Sequence, residues 1–359
     1  MSRKHFYSDL PDHNFWSRAV SRVAPGDLNP VTDFPFKINP EDKVATAGSC
    51  FAQHIARHLK ASGFTYFVTE PAHPLTDLVD GLAERMNYGT FSARFGNVYT
   101  TRQLVQLFDR AHGHFHPAEP DWQDKGGNWC DPFRPAIQPG GFATRAELIR
   151  DRDQHLAQVR YMFEELNIFV FTLGLTECWT SRADGAVFPL CPGVKAGHFD
   201  PGAYAFVNLG VDEVVTDLNG FLDRLARVNP KARVIFTVSP VPLAATAEDR
   251  HVMISTTVSK SILRVACDVI ERAHDHVAYF PSYEIVTSAV NGPDYFAPDR
   301  RNVTEAGVNH AMRMFFAAAT DRPTPAVPPA PATGATMDRL QTIVDVICDE
   351  EALDRPNPT

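Results

Sequence analysis

The chain has 359 residues, 44% apolar and 21% charged, a composition expected of a globular protein with one large or two moderate domains. A formal net charge of −9 without any run of Lys and Arg argues against a nucleic-acid partner, and no apolar run reaches the length of a membrane span. The first 22 residues lack a signal-peptide apolar core and the six cysteines form no Cys-x-x-Cys pair, so the expectation is a cytoplasmic protein with reduced thiols.

Residues 1–40, rich in Pro, Asp and aromatics without a sustained period, read as an arm packed on the domain. Residues 44–47 read as the first strand. Residues 51–59 read as a helix, with Phe51, Ile55 and Leu59 on one face and Gly63 ending it. Between strand and helix lies Gly48-Ser49-Cys50, a tight turn of the kind where ligands collect in an open α/β sheet. Backbone N–H groups opening such a helix can stabilise a developing oxyanion. Two readings of Ser49 compete: a nucleophile, or a helix N-cap. The position three residues on, where a capping box needs Glu or Gln, is Ala52. Cys50 is either a rival reactive thiol at a helix start or a small buried filler.

Residues 64–68 read as the second strand and 102–111 as a short helix. The polar and aromatic insertion 113–138 has the length of a lid or binding loop. Its edge holds His112, His114 and His116, which alternate as ligands on one strand face would. No acidic or cysteine ligand stands at a diagnostic spacing, so a solvated loop is expected and no metal. Thr144 caps a helix running to residue 166, with Glu147 at the capping-box position.

Residues 168–173 are a continuous apolar run, suited to a parallel strand covered on both faces. Residues 176–211 read as irregular loops over the site, and 216–228 as a helix. A strand at 233–238, a loop at 239–250 and a long helix at 252–272 follow, then a last core strand at 277–280. Thr304 caps a final core helix, 305–316. The alternation predicts a doubly wound α/β sheet. Beyond it, residues 320–336 form a Pro- and Ala-rich linker to an amphipathic helix, 337–353, whose stripe of Leu340, Ile343, Val344 and Ile347 needs a partner, in the same domain or in a second copy.

A serine nucleophile needs a base within hydrogen-bond reach. His251, Asp299 and His198 fall in loops after successive strands and qualify by position. His310 lies about 9 Å along the last helix and reads as a packing residue. Neither a dinucleotide fingerprint nor a phosphate-binding loop is present, so no cofactor is expected. Aromatics such as Trp122, Trp129 and Trp179 concentrate in the two insertions, where they plate the core or form a rim for a sugar or acyl group.

The run Gly48-Ser49-Cys50-Phe51-Ala52 resembles the signature of the GSCFA family, itself similar to the SGNH/GDSL hydrolase superfamily. The resemblance covers roughly residues 43–316. It includes, in order, Asn87-Tyr88-Gly89-Thr90, Thr172-Leu173-Gly174-Leu175-Thr176-Glu177, Ser239-Pro240-Val241-Pro242 and Phe280-Pro281-Ser282-Tyr283-Glu284. It implies a three-layer α/β/α fold with a mostly parallel sheet, long insertions and an appended C-terminal helix. It also implies Ser49 as nucleophile, with Gly89 and Thr176 forming the oxyanion hole. The superfamily carries Asp-x-x-His before its last helix; here the block reads Asp299-Arg300-Arg301-Asn302, and neutral Asn is no general base.

The resulting expectation has four parts: an arm (1–40), a catalytic domain (41–319), a linker (320–336) and a C-terminal helix (337–354). The function expected is an SGNH-like serine esterase or O-acyltransferase acting on a small polar or sugar-like ester. Ser49, His251 and Asp299 would be catalytic, and Cys50, Glu177, Trp179 and Asn302 would contact substrate. The partner would be a small-molecule acyl ester, or an acyl donor and acceptor, with a homo-oligomer through the C-terminal helix as a further expectation. The alternative is an SGNH-fold ligand-binding or assembly module with altered chemistry.

Overall fold

The computed structural model describes residues 5–79, 81–321 and 353. The chain opens with short turns, among them α1 (Trp16–Ala19). Residues 26–38 then run along the last helix: the Leu28 carbonyl meets His310 Nε2 at 2.9 Å, and Ile38 N–H donates to the Ala319 carbonyl at 2.7 Å. β1 (Val44–Gly48) is buried at all five positions and leads into α2 (Phe51–Ala61). Residues 64–68 form no second strand. They meet β1 in a single parallel bridge between Tyr66 and Val44, and the segment leaves the sheet for an irregular excursion containing α3 (Leu82–Arg85).

α4 (Thr101–Ala111) opens on a capping box of Thr100 and Gln103. The first insertion carries a minimal hairpin, β2 (Trp122–Gln123) with β3 (Trp129–Cys130). The capping box of Thr144 and Glu147 opens α5 (Arg145–Glu165), which delivers β4 (Ile168–Leu173). The stretch expected to be irregular instead folds as a three-stranded antiparallel sheet of β5 (Glu177–Ser181), β6 (Val187–Phe188) and β7 (Tyr204–Asn208). Its aromatic pairs supply the reason: Trp179 lies cross-strand from both Phe188 and Phe206, a packing that reading for turns overlooks. α6 (Val211–Val228), β8 (Arg233–Val238), α7 (Val252–Ala273), β9 (Val277–Tyr279), α8 (Ser282–Thr287) and α9 (Glu305–Ala319) complete the domain.

β1, β4, β8 and β9 form one parallel sheet in the order β1-β4-β8-β9. Alternate residues of each strand face opposite layers. Ala45, Ala47, Phe169, Phe171, Val234 and Phe236 pack under α4, α5, α6 and α7. Val44, Ile168, Val170 and Ile235 pack under α2, α8 and α9. Burial on both faces explains why β4 reads as six apolar or small residues without alternation. The result is a three-layer α/β/α domain whose strands end together, at Gly48, Leu173 and Val238, on one edge of the sheet. The linker beyond Asp321 and the stripe of the C-terminal helix lie outside the described residues.

Candidate active site

Gly48 closes β1 with φ +133°, a conformation disfavoured for side chains, and a Cβ there would strike the backbone of Thr172. The close approach lets Ser49 N–H donate to the Thr172 carbonyl at 3.0 Å and turns the chain sharply into α2. Cys50, not Ser49, holds the N-cap position, and no side chain caps the helix. The N-cap account of Ser49 therefore fails in the structure. Its Oγ is buried and finds no hydrogen-bond partner among the described residues, although buried hydroxyls almost always have one.

Ser49 is 3% exposed and lines a small cleft at the strand ends. Cys50 and Tyr99 flank it, Gly174 and Leu175 form one wall, and residues 239–243 with Arg301 form the other. Gly174 is required by space: a Cβ there would stand 3.2 Å from Ser49 Cβ and 3.1 Å from the Tyr99 ring. The Tyr99 carbonyl accepts from the N–H groups of both Gly174 (2.9 Å) and Leu175 (3.2 Å), and below this wall buried Lys260 on α7 donates to the Gly174 carbonyl at 2.5 Å.

Arg301 is the charged side chain on the cleft wall. Its Nε donates to the Pro242 carbonyl at 3.2 Å, tying the two wall loops together. Asp299 sets its position, accepting from the Arg301 N–H at 3.0 Å, the Asn302 N–H at 3.0 Å and Asn302 Nδ2 at 2.6 Å. Asp299 thus holds both the backbone N–H and the side chain of Asn302. The side chain delivered to the cleft, however, is Arg301.

Other expected site residues lie elsewhere. His251 is exposed at the N-cap of α7, its Nδ1 accepting from Met253 N–H at 3.1 Å, and it does not line the cleft. Its place is fixed by capping: the loop 239–250 touches Ser49's cleft early and has run past it before reaching His251. No histidine is among the lining residues. His310 packs, with one ring nitrogen on Tyr295 Oη at 2.7 Å and the other on Leu28. His198 is exposed.

Neither expected oxyanion donor is among the residues lining the Ser49 cleft. The Thr176 hydroxyl donates to Asn208 Oδ1 at 2.7 Å and its N–H to Ser259 Oγ at 3.0 Å. Gly89 sits in a left-handed turn whose carbonyl holds Lys60 Nζ at 2.6 Å, outside the cleft. Glu177 accepts from the Thr246 hydroxyl at 2.7 Å, and burial raises its pKa. Trp179 packs its ring on Phe199, 5.2 Å between centroids. Neither lines the cleft. Of the expected substrate contacts, Cys50 is there, and Asn302 stands one residue from Arg301.

Tyr99 and Lys260 escaped the sequence reading, and Gly174 and Arg301 stood in its motif blocks without a role of their own. The first had a usable signal, since Thr100-x-x-Gln103 marks a helix start immediately after it. Lys260 sits among small and apolar buried positions of α7 (Ser255, Ser259, Leu263), a stripe in which a lysine is conspicuous. Among the described residues, no group of three or more His, Cys, Asp and Glu side chains could hold a metal ion. His112 instead stacks on Phe108, 4.0 Å between centroids.

Comparison with known proteins gives three results. No curated protein matches. One solved structure from Streptococcus pneumonia, provisionally described as a platelet activating factor, aligns at 13% identity with a TM-score of 0.26, covering 47% of this chain and 65% of that one. That likeness is too slight to support an argument. The GSCFA family matches residues 43–315, a span reaching from the start of β1 through most of α9 and including Ser49, Gly174 and Arg301. The chain belongs to the GSCFA family.

Proposed function

We propose that this chain is a serine ester hydrolase or O-acyltransferase of the SGNH type, with Ser49 as nucleophile. The observation that carries the reading is the Ser49 hydroxyl: buried at a strand-to-helix turn and without a hydrogen-bond partner among the described residues, on a residue that lines a cleft. Ser49 Oγ would attack the acyl carbon of a small polar or sugar-like ester. The Oγ–C bond forms, the ester C–O bond breaks, and the alcohol leaves with the serine proton. Water or a second alcohol then takes the acyl group. In this reading Arg301 stabilises the oxyanion, a role that its charge and its place on the cleft wall both favour.

A second reading is favoured by the Asp299–Asn302 pair and by the absence of histidine from the cleft lining. In it the fold binds an ester or anionic group on Arg301 without turnover. Hydrolysis of p-nitrophenyl acetate separates the two. Turnover that disappears in a folded Ser49→Ala variant supports the enzyme. Equal rates for the two proteins would reject it.

A further inference from the structure

α7 holds four large apolar side chains in solvent: Met253, Ile254, Val265 and Val269, with Ile254 and Val265 each 53% exposed. α5 is nearly as long, 21 residues against 22, and exposes one, Tyr161. The inner face of α7 is accounted for, since Leu263, Ala266, Cys267 and Ile270 pack in the core. On the outer side Ile254, the half-buried Val258, Ser261, Val265 and Val269 recur every three or four residues, a stripe along one helix face. At 1.5 Å per residue it runs for about 22 Å. Ser261, small and exposed at its middle, lets a second helix approach closely. A helix in contact with water on that side would carry polar residues there.

The chain itself holds a matching segment. Residues 337–352 lie outside the described residues, and their sequence sets Leu340, Ile343, Val344 and Ile347 at the same three- and four-residue spacing. The fold gives this segment a direction. α9 ends where Ile38 N–H meets the Ala319 carbonyl, at the edge of the sheet where β1 begins. α7 ends at Ala273, shortly before β9 begins at Val277, on that same edge of the parallel sheet. At about 3.1 Å per residue, the Pro- and Ala-rich residues 320–336 span roughly 50 Å. That exceeds the thickness of two helix layers and a sheet, about 30 Å, which separates α9 from the outer side of α7. The segment therefore reaches the C-terminal end of α7 first and runs antiparallel along it. This direction brings Asp349-Glu350-Glu351 to the start of α7, whose first turn holds no acidic residue and whose dipole favours negative charge.

We propose that residues 337–353 dock antiparallel on the outer face of α7 in the same chain, with Leu340 against Val265, Val344 against Ser261 and Ile347 against Val258. The linker holds the segment at a high effective concentration beside its own α7, an advantage over the face of a second copy.

This pairing puts Cys348 opposite exposed Thr257 and about 22 Å from Arg272 at the other end of α7. Full-length protein carrying Thr257→Cys is treated with a short bismaleimide, run on a denaturing gel and mapped by peptides. The expected result is a bridge from the introduced thiol to Cys348 within one chain. Arg272→Cys should give none. Adding Val265→Asp to Thr257→Cys should slow bridging by about tenfold or more, the scale of losing one apolar contact. Val265 is exposed, so that change leaves the core intact. No bridge from Thr257→Cys, a bridge that joins two chains, a bridge from Arg272→Cys in its place, or undiminished bridging with Val265→Asp would each overturn the proposal.

Discussion

At the residue scale, the central fact is the Ser49 hydroxyl, which has no hydrogen-bond partner among the described residues. Serine at a helix start ordinarily caps it, and that use would explain Ser49 without chemistry. Cys50 takes the N-cap position instead, and Ser49 lines the cleft that has Arg301 on its wall. Arg301→Ala is expected to lower esterase turnover by about 10², the usual scale for a group that stabilises an oxyanion, with little change in melting temperature. Wild-type turnover in that variant would remove Arg301 from the reaction. His251→Ala, by contrast, should leave turnover within a few-fold, because His251 is committed to capping α7 at an exposed position. A loss of about 10², as for a general base, would contradict this placement. The turn holding Ser49 was legible because strand, small residues and amphipathic helix are all local signals. Arg301 was not, because its arrival at the cleft depends on Asp299 gripping the loop and on Pro242 receiving its Nε, two contacts without a sequence period.

At the element scale, the site depends on how closely two strand ends approach. Gly174 lets β4's exit loop pass against Ser49 and Tyr99. Gly174→Ala should cost about 1–3 kcal/mol of stability, as overpacking does, and reduce reaction at Ser49, with thermal melts and turnover measured side by side. An unchanged melt and rate would show that the wall yields freely. The Glu70–His155 pair joining the 69–70 loop to α5 gives a pH expectation. Burial and the nearby Arg134 charge lower the His155 pKa to about 4, against contributions from Glu70 and Asp131 that raise it. The folded protein therefore binds fewer protons than the unfolded chain between about pH 4 and 6.5. The contribution of His155 is fully present above 6.5 and is lost as pH falls toward 4. Melting temperatures across that window should fall less steeply in His155→Phe than in the wild type; identical slopes would contradict the assignment. The main strands and helices were legible from apolar runs and caps, as Thr144 and Thr304 illustrate. The sheet β5–β6–β7 and the lost strand at 64–68 were not, since pairing partners rather than local propensity decide both.

At the scale of the whole molecule, four parallel strands bring their ends to one edge, and the loops there define the Ser49 cleft. Among the described residues every core element is complete by Ala319, and Thr320 closes α9 with its N–H and hydroxyl on the Phe316 carbonyl. A chain cut after Asp321 is therefore expected to melt cooperatively and keep Ser49 reactive; a noncooperative melt would show that the remaining segment is needed by the core. The family assignment over residues 43–315 identifies the scaffold, and the chemistry still rests on Ser49. The most direct test of that chemistry is labelling with a serine-directed fluorophosphonate followed by peptide mapping. The account predicts a single adduct on Ser49, absent from a folded Ser49→Ala variant. No adduct at Ser49, or undiminished labelling of Ser49→Ala at another residue, would contradict it.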